Sequence, residues 1–241
     1  MKIKLFGTGS LSSQSLSASA LIDNTILFDC PNGLVKTLRR DNVDFNRIRA
    51  VIISHFHADH DWDLPFLLFE YIRVSRKHPL AIVAPRGFTD RHKTLCDMSW
   101  PGAFSWDSVV RNMPLEIHEA ADRETFHMDG YAIQAYRMSH GDCDAYGYRI
   151  SKDGKTAAFT GDSTMCDNMV DLVDGADVAF VDVTGPPPAG FAPMHLDVGD
   201  FQRLQGKTQT RLVPVHTNDD VRDQLEELGL RPPADGNEVV V

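Results

Sequence analysis

Three imidazoles and two carboxylates fall within seven positions of this chain: His55, His57, Asp59, His60 and Asp61, in the run Ser54-His55-Phe56-His57-Ala58-Asp59-His60-Asp61. Imidazole and carboxylate together suit zinc and its first-row neighbours, and a set without thiolates differs from the cysteine-rich sites that serve structure. Histidine is only 10 of 241 residues, so this density marks metal chemistry rather than an ordinary polar loop. In an extended segment alternate side chains share a side, so His55 and His57 can hold one ion. Asp59 and His60 follow where the chain turns toward a helix, within reach of a second ion. The cluster predicts one metal and permits two.

Further ligands must come from other strand ends, and three candidates stand at such places. His140 follows an apolar run in Ser139-His140-Gly141-Asp142, Asp162 lies in Thr160-Gly161-Asp162-Ser163, and His216 lies in Pro214-Val215-His216-Thr217. A site on a rigid scaffold needs its polar groups where buried strands emerge. With the first cluster these residues supply enough ligands for two ions.

The elements that must position them are readable as apolar runs separated by turn residues. Strands are expected over 3–6, 20–28 with a break at Asp23-Asn24, 50–53, 80–83, 131–138, 146–150, 156–160, 178–183 and 211–215. Helices are expected over 33–40, 64–74, 87–98, 165–173, 198–205 and 219–228. The order is mixed at first, strand-rich from 114 to 160, then alternating. It predicts one domain over residues 1–241 of α/β or α+β class, with two sheets between outer helices.

Composition bounds the function. The chain has 42% apolar and 24% charged residues and a formal charge of −10, which disfavours gripping nucleic acid through a broad basic face. Cys30, Cys96, Cys143 and Cys166 are scattered without a paired motif and are expected to be reduced. No signal-peptide core or membrane-spanning stretch is visible, which predicts a cytoplasmic protein without membrane contact. Among the remaining features, Trp100, Phe104 and Trp106 in a turn-rich stretch offer a lid beside the metals, a homodimer contact or plain packing. Arg73, Arg76 and Lys77 read as a solvated helix end, and His78, His92, His118 and His127 as surface or packing histidines. Cys143, close to His140, reads as a thiol without a metal.

Taken in order, Asp29, His55-x-His57-x-Asp59-His60, His140, Asp162 and His216 resemble the motif set of the metallo-β-lactamase superfamily across nearly the whole chain. The resemblance implies a four-layer αββα sandwich with two divalent metal ions at one edge of its sheets, zinc first among them, with manganese or iron as alternatives. It implies that His55, His57 and His140 hold one ion, that Asp59, His60 and His216 hold the other, and that Asp162 bridges them. Asp29 would orient ligands from behind. The segments Phe6-Gly7-Thr8-Gly9-Ser10, Leu27-Phe28-Asp29-Cys30 and Ala145-Tyr146-Gly147-Tyr148 are most similar to the ribonuclease Z and phosphodiesterase branch. His195, in Met194-His195-Leu196-Asp197, matches that branch's additional active-site histidine. The branch usually carries a Glu directly after it, where this chain has Leu196, and a long basic arm for transfer RNA, of which the chain shows nothing comparable.

These observations predict a metal-dependent phosphodiesterase for a small-molecule substrate rather than structured RNA. A hydroxide shared by the ions would be the nucleophile, Asp162 would hold the bridge, Asp59 would accept a hydrogen bond from the nucleophile, and His195 would act as general acid or substrate contact. A second reading keeps the ions and hydrolyses a lactone, thioester or β-lactam. A third, of another class, is an iron-binding redox or non-catalytic metal-binding protein.

Overall fold

A computed structural model of the chain describes residues 1–76, 78–102, 104–187 and 189–241. Lys77, expected at the basic helix end, lies outside the described residues.

The first half builds one sheet from β1 (Lys2–Gly7), β2 (Ser19–Ile22), β3 (Ile26–Phe28), β4 (Ala50–Ile52), β5 (Leu80–Ala84) and β6 (Leu115–Glu119). Between these strands come α1 (Leu34–Arg40), α2 (Ala58–Asp61), α3 (Leu64–Arg73), α4 (Phe88–Ser99) and α5 (Trp106–Asn112). The second sheet takes β7 (Thr125–Met128), β8 (Tyr131–Arg137), β9 (Tyr146–Lys152), β10 (Lys155–Phe159), β11 (Val178–Asp182) and β12 (Arg211–Val215), with α6 (Asp167–Val173), α7 (Val198–Gln205) and α8 (Asp219–Glu227). The last strand, β13 (Glu238–Val240), returns to the first sheet beside β1. The strand orders are β13-β1-β2-β3-β4-β5-β6 and β12-β11-β10-β9-β8-β7.

Strand periodicity explains why the expected runs were continuously apolar. In β4 and the residue after it, Ala50 and Ile52 enter the layer between the sheets while Val51 and Ile53 face the helices. A strand covered on both faces has no wet side to carry polar residues. Between the sheets, Phe28 stacks on Phe159 at 4.6 Å, and Phe159 on Phe180 at 4.8 Å. The outer face of the first sheet packs on Leu34, Leu38, Leu64, Leu68, Tyr71 and Phe88. That of the second packs on Leu172, Phe201, Leu204, Val221 and Leu225. The four layers are therefore helix, sheet, sheet, helix.

Helix boundaries have local causes. Asp197 caps α7 reciprocally with Asp200, so the start at Val198 coincides with the expectation. Pro65 sits in the first turn of α3, where its missing N–H costs no helix bond. The Asp63 carboxylate ahead of it accepts the Val35 N–H at 2.7 Å, fastening α1 to α3.

One expectation is corrected. Arg76 is only 2% exposed. Its guanidinium donates to the carbonyls of Phe45, Asn46, His78 and Pro79, so it ties segments together instead of ending a helix in water. Arg73 pairs with Glu70 on its own helix. Of the readings offered for the aromatic stretch, packing is the one seen for Phe104 and Trp106, which are buried in the helix-side core, where Trp106 opens α5; partly buried Trp100 stacks on Phe69 at 5.3 Å. Among the described residues no helix is long and apolar enough to cross a membrane.

Candidate metal centre

The residues singled out by spacing meet at one end of the two sheets. Asp29 follows β3, the histidine-rich loop follows β4, and His140, Asp162 and His216 follow β8, β10 and β12. The loop makes a single helical turn, α2, where the chain is expected to turn toward a helix. Its purpose is visible in Asp61, which is buried and receives the Arg91 guanidinium at 2.6 and 3.1 Å. Asp61 thus anchors the loop to α4.

The remaining groups converge. His55 Nε2 and His140 Nε2 lie 3.0 and 3.1 Å from His57 Nδ1. Asp162 Oδ2 stands 3.7 Å from His55 Nε2, 3.8 Å from His140 Nε2 and 3.3 Å from His60 Nε2. Asp59 Oδ2 stands 3.7 Å from His60 Nε2 and 3.4 Å from His216 Nε2. Three groups able to hold an ion result among the described residues, His55-His57-His140-Asp162, Asp59-His60-His216 and, toward the rim, Asp162-Asp182-His195-His216. Asp162 also reaches His216, its Oδ1 lying 3.6 Å from Nδ1.

Behind this set four of the five imidazoles, all but His57, are held by their far nitrogens. Asp29 accepts the Ser54 N–H at 2.7 Å, the Ser54 hydroxyl at 2.8 Å and His60 Nδ1 at 2.8 Å. With its proton given to Asp29, the Ser54 oxygen accepts from His55 Nδ1 at 3.0 Å. His140 Nδ1 donates to the Met194 carbonyl at 2.9 Å. Thr184 Oγ1 donates to Asp182 and accepts from His216 Nδ1, each at 2.7 Å. Four Nε2 lone pairs are thereby left facing inward, the tautomer that metal binding requires.

Backbone geometry is committed to this arrangement. Asp29 and His216 both adopt left-handed backbone, at φ 54°, a conformation more accessible to Asp and His than to bulky apolar residues and concentrated at functional sites. Gly161 has φ 57°, and a Cβ there would stand 2.9 Å from Ser54 Cβ. The turn before Asp162 therefore needs glycine to bring that carboxylate against the loop after β4.

A divalent cation fits this donor set. His60 Nε2 and Asp162 Oδ1 are buried without a hydrogen-bond partner, a costly condition unless something else binds them. The charges agree. Burial pushes His60 and His216 down, but Asp162, Asp29 and Asp182 outweigh it and hold His60 well above its ordinary value and His216 at about 10. Burial alone would raise Asp162, yet His216 and His60 hold it well below the usual carboxylate range. Without an ion, protons gather where positive charge is wanted.

His195 stands at the rim, 21% exposed, with Nδ1 2.9 Å from Asp182 Oδ2. Asp182 went unnoticed in the sequence because it lies one residue inside an apolar run read wholly as strand. The strand-end rule that picked out Asp162 applies equally to it. Its carboxylate supplies from β11 what the position after His195 lacks, where Leu196 is instead buried in the outer helix layer. A cavity of about 560 Å³ opens beside these groups, lined by His57, Asp59, Asp162, His195 and His216 among others. Trp100, Phe104, Trp106 and Cys143 line no part of it among the described residues.

The fold and this donor set define a class: the chain belongs to the metallo-β-lactamase superfamily, residues 24–227 matching the family described as "Beta-lactamase superfamily domain". Within it, the ribonuclease Z of Agathobacter rectalis is 32% identical over 136 residues, which are 55% of this chain and 41% of that protein. The chain spans about half the length of the bacterial ribonuclease Z and ribonuclease BN relatives it matches. Among solved structures, the short form of human tRNase Z superposes with a TM-score of 0.76 at 19% identity, covering 100% of this chain and 99% of that one. A diphosphatase of the PhnP family gives 0.75 at 17% identity, covering 100% and 97%. These two establish a shared fold.

Proposed function

We propose that residues 1–241 form one catalytic domain, a dinuclear metal-dependent hydrolase that cleaves small phosphodiesters. The observation that carries this reading is a buried acid, Asp182, fixing His195 at the rim of a cavity lined by His57, Asp59, Asp162 and His216, four of the seven convergent His and Asp candidates. His55, His57 and His140 would hold one ion, Asp59, His60 and His216 the other, and Asp162 would lie between them. Divalent ions so placed make water nucleophilic at neutral pH and neutralise charge on the attacked centre.

The chain's own groups do the rest. Asp59 accepts a hydrogen bond from the attacking water and orients it. His195, with Nδ1–H committed to Asp182, presents Nε2 to the leaving oxygen. Burial would lower its pKa, but Asp182 outweighs burial and raises it, so a proton is available near neutral pH. The water oxygen joins phosphorus, the bond to the leaving oxygen breaks, and that oxygen takes the His195 proton, giving a monoester and an alcohol. Relatives whose names describe a ribonuclease and a diphosphatase support phosphorus over carbon as the electrophile.

A second reading, hydrolysis of a lactone or thioester on the same site, draws support from the apolar cavity walls. Metal quantitation followed by matched phosphodiester, lactone and thioester substrates tests both. Turnover of phosphodiesters by zinc-, manganese- or iron-loaded protein is expected. Loaded protein that hydrolyses only carbonyl esters overturns the phosphodiester reading.

A further inference from the structure

The cavity is walled unlike a site for a polyanion. Among the described residues that line it there is no Lys or Arg, and its charged groups are the candidate ligands and His195. Its outer walls are Leu11, Phe191, Met194 and the pair Pro186-Pro187. Leu11 and Phe191 are each 73% exposed, the highest value among the large apolar side chains described. Apolar groups left in water at the mouth of a cavity gain by covering something apolar.

These walls are also held in place. The Ser10 hydroxyl donates to Asn218, and Ser10 N donates to the Thr217 carbonyl at 3.1 Å. Leu11 is therefore set one residue from a fixed point beside His216. On the other side, Gly185 N donates to the Leu196 carbonyl at 2.9 Å, closing the base of the segment that carries Phe191. A preformed wall loses little entropy when it takes a ligand.

We infer that Leu11 and Phe191 determine specificity by gripping a planar, uncharged substituent of the phosphodiester, of nucleoside size, so that the one charge on the substrate is the phosphate over the ligand cluster. This rests on the phosphodiesterase reading and adds the substrate class to it. A planar ring between an aromatic and an aliphatic side chain removes apolar surface from water on both faces. A second phosphate in the same place would meet no cation from the walls.

The test uses metal-loaded protein and two diesters with one leaving group, thymidine 5′-(p-nitrophenyl phosphate) and methyl p-nitrophenyl phosphate. The nucleoside ester is expected to have the higher kcat/KM by about tenfold or more, through KM. In Phe191→Ala and Leu11→Ala the ratio between the esters should collapse toward one, and Phe191→Trp should restore it. Equal use of both esters by the unaltered protein, or a ratio that survives both alanine variants, overturns the inference while leaving the phosphodiesterase reading intact. Turnover of neither ester, with a lactone hydrolysed, overturns both.

Discussion

Asp182 Oδ2 lies 2.9 Å from His195 Nδ1, a contact between the end of β11 and a loop residue thirteen positions later. The pair holds one ring nitrogen so that the other faces the cavity, and it favours the protonated imidazole. In Asp182→Asn that electrostatic support is gone, and the pKa of His195 should fall. The acid form is then lost at lower pH, so the alkaline limb of the kcat profile should move toward acid. Turnover of a diester with an alkyl leaving group should drop by about a hundredfold, and of a p-nitrophenyl ester far less, since only the former needs the proton. An unaltered alkaline limb with metal content retained would remove His195 from proton transfer.

Asp29 touches the Ser54 hydroxyl and His60 Nδ1 from behind the ligand set. Replacing it with Asn removes the charge that holds His60 in its metal-binding tautomer. Zinc affinity, measured by chelator competition, should fall by about 10- to 100-fold, and excess zinc should recover activity. Wild-type affinity in Asp29→Asn would contradict this role.

Metal-free protein should lose stability as pH rises. His216 is ordinarily near 6.5 and is pushed up to about 10 in the fold, so between these values the folded chain binds a proton that the unfolded chain lacks. Its contribution is complete below 6.5 and is lost as pH climbs through about 10. His60, also raised, acts with the same sign. Asp162 is lowered, so its contribution is present above its ordinary 3.8 and disappears in acid below that. Melting temperatures of stripped protein should therefore decline across the alkaline window, and zinc, which binds unprotonated imidazoles, should flatten the decline. A stripped protein equally stable at both ends of that window refutes the charge assignment.

Trp106 is buried beside Phe88, with ring centroids 6.3 Å apart. Truncation to Ala should cost about 3 to 5 kcal/mol of stability and leave KM unchanged. A raised KM at native stability would return this segment to the role of a lid.

The sequence announced groups whose meaning is local and concealed those whose meaning is tertiary. His55 to His60 stood out by density, and His140, Asp162 and His216 by following apolar runs. Asp182 obeys the same rule but sits inside a run, where hydrophobicity on both sides masked it. Arg76 read as solvated because nothing nearby in sequence announces that carbonyls from Phe45 and Asn46, about thirty residues earlier, will surround its guanidinium. The strands around Phe28, Ile52 and Phe159 were visible because both faces are buried. Edge strands β6 and β7 are half exposed and β13 is three residues long, so periodicity marked them weakly. Pairing of β13 with β1 joins the chain's two ends, a contact that no sequence window contains.

Asp59 and His216 stand 3.4 Å apart across 157 residues of chain. During synthesis the loop that carries His55 to His60 leaves the ribosome long before β8, β10 and β12 exist to face it. The early histidines then meet free ions as a flexible peptide, with neither the central carboxylate nor the last imidazole at hand. Loading is thus a late event that follows closure of the second sheet on the first. A nascent chain halted before residue 140 should hold zinc no more tightly than its isolated histidine loop.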